Sequence, residues 1–155
     1  MRPIHISLSP NAQKDDAFLA LKLILQPWNW KKHKNLESGL LNLEREFKKY
    51  HNTNFVYSFN SARSALMAIL EALEIKEGDE VLTQAFTCNA VPNPIMWMGA
   101  KPVYVDIADD LNIDPADMER KITQRTKAVI VQHTFGIPAD MDRVIEVAHR
   151  HNLVV

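Results

Sequence analysis

Apolar residues recur along this chain at two different spacings, which predict two kinds of element. Where they return every three or four positions they mark one face of a helix, and short apolar runs rich in Val, Ile, Tyr and Phe indicate strands. The spacing predicts helices over Asp15–Leu25, Glu37–Tyr50, Ala62–Leu73, Asn89–Met98, a segment from Asp114 onward, and Asp140–His151. It predicts strands over Phe55–Phe59, Glu80–Thr83, Pro102–Asp106, Ala128–Val131 and Leu153–Val155.

From about residue 55 the strands alternate with helices, whereas residues 1–54 contain an extended arm and two helices only. Alternation of this kind is typical of a mostly parallel sheet covered by helices on both faces, with right-handed crossovers. The fold class is therefore α/β, a three-layer sandwich over residues 55–155 with an appendage over residues 1–54. In the final predicted helix, Val144, Ile145 and Ala148 should face the sheet.

Two prolines and an aspartate locate helix starts. The helix over Asn89–Met98 can hold Pro92 and Pro94 only in its first turn, because a proline further in removes a backbone donor. Asp114 should cap the next helix, with Pro115 in its first position. Since the chain stops inside the predicted strand Leu153–Val155, we expect a continuation that carries further ligand-facing loops.

Composition narrows the class of protein. Of the 155 residues, 46% are hydrophobic and 24% charged, which is ordinary for a globular domain. The net charge of −1 argues against nucleic acid as a partner, and no run approaches the roughly 18 apolar residues of a membrane-spanning helix. The single cysteine, Cys88, excludes an internal disulfide and fits the cytoplasm. The basic cluster Lys31–Lys34 beside Trp28 and Trp30 is interpreted as a solvated loop, with a phosphate-rich ligand as the alternative.

The loops that follow the strands are the candidate binding region, because ligands of parallel sheets bind beyond the carboxyl ends of the strands. Small residues at the start of one helix, Ser61, Ala62 and Ser64, leave room for a phosphate at its free amides. The alternative is that a serine simply caps that helix. His133 follows a strand and is either a pocket residue or a hydrogen-bonded structural histidine. No metal site is expected from the acidic stretch Asp106–Asp117.

A series of short motifs from residue 55 to residue 155 resembles the DegT/DnrJ/EryC1/StrS family of sugar aminotransferases. These enzymes use pyridoxal 5'-phosphate (PLP) and have the aspartate aminotransferase fold, fold type I. The resemblance implies that this chain is part of their PLP-binding large domain. The motifs are Asn60–Leu66, Gly78–Val81, Ala85–Thr87, Gly99–Asp106, Asn112–Asp114, Ile122–Ile130 and His133–Asp142.

The resemblance also implies roles for particular residues. The loop of Ser61, Ala62, Arg63 and Ser64 would hold the cofactor phosphate, although Arg63 departs from the Gly-Thr usual in the family and could strengthen or obstruct that contact. Cys88 stands where the family often has an aromatic residue on the pyridine ring. Either Phe86 replaces that residue or the stacking is weaker. His133 matches a histidine near the cofactor.

The activity implied for the parent protein is transfer of an amino group from an amino acid to a nucleotide-linked keto sugar, in a homodimer. This chain would contain no catalytic residue, because the lysine that forms the Schiff base with PLP is expected beyond Val155, and we expect it to be inactive alone. Two alternatives stay open. One is a related PLP sugar dehydratase, in which histidine replaces that lysine. The other is a non-catalytic α/β module that binds a phosphorylated ligand or a partner.

Overall fold

The structure, a computed structural model, describes residues 13–28 and 36–155. The chain divides into two compact units, Met1–Ser58 and Phe59–Val155. The predicted arm over residues 1–12 and the basic cluster Lys31–Lys34 lie outside the described residues. No helix in the described ranges combines the length and the apolar character needed to cross a membrane.

The first unit contains both predicted N-terminal helices, α1 (Lys14–Leu25) and α2 (Leu36–His51). The strand predicted over Phe55–Phe59 is wrong, because none of the described residues forms a ladder with this segment. Instead, the Ser58 amide and hydroxyl donate to the Glu44 carboxylate, at 2.8 and 2.6 Å. These bonds lower the pKa of Glu44. The β-prone side chains Phe55 and Tyr57 are mostly exposed, so a local polar contact has replaced strand pairing here.

The second unit is built on a parallel sheet of three strands in the order β2–β1–β3. These strands are β1 (Glu80–Gln84), β2 (Lys101–Val105) and β3 (Thr126–Ile130). All five residues of β1 are buried, because it lies between two neighbours and is covered on both faces. The predicted strand over Leu153–Val155 is reduced to a single parallel bridge, in which Val154 pairs with Ala128.

Helices cover both faces of this sheet, which confirms the three-layer α/β prediction. On one face, α3 (Ala62–Ala72) and α4 (Pro92–Trp97) contribute Leu70 and Ile95 to a core that includes Val81. On the other, α5 (Pro115–Lys121) and α6 (Met141–Arg150) contribute Met118 and Val144 to a core that includes Leu82. Successive residues of β1 therefore pack into the two cores on opposite faces of the sheet, as the pleat of a strand requires.

The prolines and the aspartate that predict helix starts are found at the starts of α4 and α5. Pro92 and Pro94 lie within the first turn of α4, and Gly99 follows that helix at φ +76°, a conformation that glycine adopts without strain. A Cβ at Gly99 would also lie 3.3 Å from the Cβ of Glu77. Asp114 caps α5 by accepting a bond from the Ala116 amide at 2.9 Å, with Pro115 in the first helical position.

A buried glutamate ties the starts of all three strands together. Glu80 opens β1, and its carboxylate accepts a bond from the Thr123 hydroxyl at 2.6 Å and from Arg125 at 3.0 Å, with the Lys101 ammonium at 3.6 Å. The Thr123 bond is the main cause that lowers the pKa of Glu80, with Arg125 and Lys101 adding to it against the effect of burial. This cluster lies at the amino-terminal edge of the sheet, opposite to the ligand-facing loops, and links the three strands there.

The buried face of α6 differs from the prediction, since Ile145 is 38% exposed while Val144, Val147 and Ala148 are buried. Ile145 lies about 100° around the helix from Val144, which turns it away from the sheet. We expect Val144→Ala to lower the free energy of unfolding by about 2 kcal/mol through cavity formation. Ile145→Ala should cost less than about 1 kcal/mol. Chemical denaturation of both variants checks this, and equal losses would contradict it.

Candidate functional site

The loops that follow β1 and β3 enclose a pocket at the carboxyl edge of the sheet. Its volume is about 380 Å³, and it is lined by Phe86, Thr87, Cys88 and Gln132–Phe135. Adjacent parallel strands end at the same edge, so residues about 45 positions apart in the chain meet there. One direct link across the pocket joins the two loops, as the Gln132 side-chain amide donates to the Thr87 hydroxyl.

Two aromatic rings stand at this pocket. Phe86 and Phe135 have centroids 6.2 Å apart and planes inclined by 65°, an edge-to-face arrangement. Phe86 is 46% exposed and Phe135 61% exposed, so both rings present apolar surface at the pocket. Cys88 is also exposed, in the same wall. The pocket can therefore receive a planar ring against Phe86.

His133 is placed so that one ring nitrogen is occupied and the other is available. The Ala139 amide donates to Nδ1 at 3.1 Å, so the neutral ring carries its proton on Nε2. Among the described residues nothing accepts a bond from that Nε2. His133 can accordingly donate one hydrogen bond to a molecule in the pocket, while its role toward a cofactor stays a prediction.

The start of α3 shows how the predicted phosphate loop is organised. Ser61 caps the helix, with its Oγ accepting from the Ser64 amide at 3.2 Å and lying 2.9 Å from the Ser64 hydroxyl. Ser64 in turn donates to the Asn60 side chain at 2.8 Å. The capping role that was left open for a serine is thus present. The amides of Ala62 and Arg63 have no acceptor among the described residues, which leaves two donors for an anion.

The start of α3 lies toward the same edge of the sheet as the pocket. The helix ends at Ala72, a few residues before β1 begins at Glu80, so it runs antiparallel to the strands. Leu66, in its first half, lines an apolar groove together with Ile130 and Val131 at the end of β3. Ser61–Ser64 are nevertheless not among the residues that line the pocket. The structure brings Phe86, Cys88 and His133 together and keeps the four loop residues as a neighbouring cluster.

Several residues of this site were not singled out from the sequence. Gln84, Asn112 and Thr134 form a polar network beneath the pocket, and Gln84 and Asn112 are buried. Their sequence signals were a place in the loops that follow predicted strands and, for Asn112 and Thr134, a place in the motifs Asn112–Asp114 and His133–Asp142. Within the described residues no cluster of histidine, cysteine and carboxylate side chains could hold a metal ion.

Comparison with known proteins shows that the chain is similar to members of one family. The sequence profile of the DegT/DnrJ/EryC1/StrS aminotransferase family matches residues 24–155. The spore coat polysaccharide biosynthesis protein SpsC of Bacillus subtilis is 40% identical over 128 residues, covering 77% of this chain and 33% of that protein. GDP-perosamine synthase of Caulobacter vibrioides is 38% identical over 117 residues, 75% of this chain and 32% of that enzyme.

A solved structure supports the same assignment. NtdA of Bacillus subtilis, crystallised with its bound cofactor PMP, superposes with a TM-score of 0.77 at 27% identity, covering 99% of this chain and 37% of that protein. The chain spans about a third of the length of the curated relatives it matches.

Proposed function

The chain belongs to the DegT/DnrJ/EryC1/StrS aminotransferase family, and from this premise we propose that it forms the phosphate-binding part and one pocket wall of a PLP-dependent sugar aminotransferase. The fold is part of the fold type I large domain. The proposed reaction of the parent protein moves an amino group from an amino acid to a nucleotide-linked keto sugar. The observation that carries the proposal is the pocket formed where parallel strands end, and two amides at the start of α3 that have no acceptor among the described residues support it.

The residues present are suited to PLP at two points. A phosphate needs backbone donors without a bulky side chain in front of them, and the amides of Ala62 and Arg63 are unbonded at the positive end of α3. A pyridine ring needs an apolar face, which Phe86 offers with nearly half of its surface exposed. Both features are present without any change of backbone.

Each pocket residue then has a proposed task. Ala62 and Arg63 amides bind the phosphate, and the exposed Arg63 guanidinium adds a charge-assisted hydrogen bond. Phe86 orients the ring from one side, with Cys88 beside it in place of an aromatic residue. His133 donates from Nε2 to the bound molecule. When bound, PLP supplies an electron-accepting ring that stabilises charge developing on a substrate carbon.

A proline substitution tests the phosphate site without disturbing the helix. Ala62→Pro removes one amide donor at the first helical position, where proline is well tolerated, and Ser61 already has the extended backbone that must precede proline (φ −160°, ψ 155°). We expect the 155-residue chain to bind PLP in preference to pyridoxal. Ala62→Pro should weaken PLP binding about tenfold, the loss expected for one hydrogen bond to a charged group. A titration followed by ³¹P NMR measures both effects.

The matched control is Lys14→Pro, which places proline at the first position of α1 after the extended residue Gln13. It should leave PLP binding unchanged, and circular dichroism verifies that both variants keep their helix content. If the wild-type chain does not discriminate PLP from pyridoxal, or if Ala62→Pro binds like the wild type, the phosphate site is elsewhere.

The remaining expectations for the parent protein are part of the same proposal. A homodimer agrees with the apolar side chains that α1 exposes, among them Phe18, Ile24 and Leu25. A cytoplasmic location agrees with the single cysteine. Transamination requires a lysine that reaches the pocket, and no lysine lines it among the described residues.

A further inference from the structure

One buried side chain beneath the pocket makes contacts to all three loops of the carboxyl edge. Gln84 is the last residue of β1 and has no exposed surface. Its Nε2 lies 2.8 Å from the Phe86 carbonyl, 2.9 Å from the Thr134 hydroxyl and 3.3 Å from the Leu111 carbonyl. Because carbonyl oxygens only accept hydrogen bonds, the nitrogen of the amide must face this side.

Thr134 extends the contact across the edge of the sheet. Its hydroxyl also lies 3.0 Å from the Leu111 carbonyl. A hydroxyl has a single proton, so it donates to Leu111 and accepts from Gln84. The two protons of the Gln84 amide then go to Phe86 and Thr134. This chain of bonds connects the loops after β1, β2 and β3 through one side chain.

The two groups that accept hydrogen bonds from Gln84 belong to Phe86 and to the residue before Phe135, the two aromatic residues of the pocket. The Phe86 carbonyl is bound directly, and Thr134 immediately precedes Phe135, which has φ +53°. This left-handed conformation is unfavourable for an aromatic residue, so neighbouring contacts must hold it. Two backbone bonds close this turn, from Gly136 to His133 and from Ile137 to Thr134, and the side-chain bond from Gln84 to Thr134 ties it to the end of β1.

Stability alone does not account for a glutamine at this position. The Gln84 Oε1 is buried and has no partner among the described residues, and such an oxygen is unfavourable in a core. An apolar side chain of similar length would avoid it, as Leu82 does two residues earlier on the same face. An apolar residue could not replace the hydrogen bonds that the Gln84 Nε2 donates to Phe86 and Thr134.

We propose that Gln84 is a positioning residue: it holds Phe86 directly and Phe135 through Thr134, in the arrangement that receives the ring of the bound molecule. The proposal rests on the proposed function for the identity of that molecule, PLP. Gln84 is not among the residues that line the pocket and acts through the Phe86 carbonyl and the Thr134 hydroxyl that it binds.

The experiment uses the only cysteine of the chain as a reporter. Cys88 lies in the pocket wall beside Phe86, so a trifluoromethyl group attached to its thiol gives a ¹⁹F resonance that responds to the ring currents of the two phenylalanines. Gln84→Met removes the amide donors and keeps the length of the side chain. Thr134→Val removes the hydroxyl that bonds to Gln84 and Leu111, and Thr134→Ser keeps it. Thr83→Val is the matched control, because Thr83 is equally buried, is adjacent in β1 and has an unpartnered hydroxyl.

We expect Gln84→Met and Thr134→Val to move the ¹⁹F resonance in the same direction. In unlabelled chains both should weaken PLP binding about fivefold, because a ring that is no longer held must be ordered when PLP binds. Thr134→Ser and Thr83→Val should stay within about twofold of the wild type in binding. Two variants are used so that failure of one to fold leaves the other.

Three results would overturn the proposal. The resonance could stay in place in both variants, the control Thr83→Val could produce the same change, or the resonance could move while PLP binding stays unchanged. Failure of the proposed function gives a different result, since the wild-type chain would then not bind PLP at all. The ¹⁹F comparison would in that case still decide whether Gln84 positions the rings.

Discussion

Replacing Asn112 by alanine is expected to lower the free energy of unfolding of the Phe59–Val155 unit by about 2 kcal/mol, because a buried side chain that bonds two backbone groups of the loop after β3 is lost. Asn112 is 1% exposed. Its Oδ1 accepts from the Thr134 amide at 2.8 Å, and its Nδ2 donates to the Ile137 carbonyl at 3.1 Å. Alanine cannot replace either bond.

Hydrogen–deuterium exchange of the β1 amides is the measurement for this variant, since it reports on the sheet and not on the N-terminal helices. The control is Asp110→Ala, which removes the third partner of Asn112, a 2.9 Å bond at a partly exposed carboxylate. We expect a clearly smaller loss there, because solvent can replace Asp110. Comparable protection in Asn112→Ala and the wild type would show that the network does not hold the loops.

The second large effect is expected at the opposite edge of the sheet, where Glu80→Ala should destabilise the same unit by about 3 kcal/mol. The substitution removes the acceptor of Thr123 and the anion that joins Arg125 and Lys101 across three strand starts. The loss should lie at the low end of the range for buried ion pairs, because the Arg125 side chain is 66% exposed and regains hydration. Urea denaturation followed by circular dichroism measures it.

The charge of Glu80 also makes stability depend on pH, with a definite sign. Its pKa in the folded protein is below the unfolded value of about 4.3. The unfolded chain therefore binds the proton first as the pH falls. The contribution of Glu80 is complete above about pH 5 and is lost as the pH falls toward its lowered native pKa. Glu80→Gln should be less stable than the wild type at pH 7 and should lose less on acidification to pH 3. Parallel pH curves would contradict this.

Regular elements with strong local signals were predicted well. The two N-terminal helices, α3, α5 and the three central strands lie where apolar spacing places them, and Asp114–Pro115 starts α5 as its residue types indicate. Errors occurred where local preference needed a partner. Phe55–Phe59 has β-prone residues but no ladder, and Leu153–Val155 makes one bridge. Whether an extended segment becomes a strand depends on a neighbour that periodicity does not reveal.

The site was predicted in part. The resemblance and the strand ends pointed to Phe86, Cys88 and His133, which share one pocket. The roles of these residues and of Ser61–Ser64 remain predictions. The polar network of Gln84, Asn112 and Thr134 was missed, because its bonds join residues up to 50 positions apart. No local sequence pattern identifies a buried glutamine at the end of an apolar strand as a residue that connects loops.

By itself the sequence determined the order of the helices and of the three central strands, the cap of α5 and the family, because these depend on side chains close together in the chain or on motifs in a set order. Only the tertiary structure decided that the ring of Phe86 contacts that of Phe135, that the Ser61 hydroxyl caps α3, and that Gln84 contacts residues of three loops. Those features depend on which strand ends become neighbours. Parallel pairing sets that through contacts distant in sequence, and it brings polar residues of different loops close enough to bond at the carboxyl edge of the sheet.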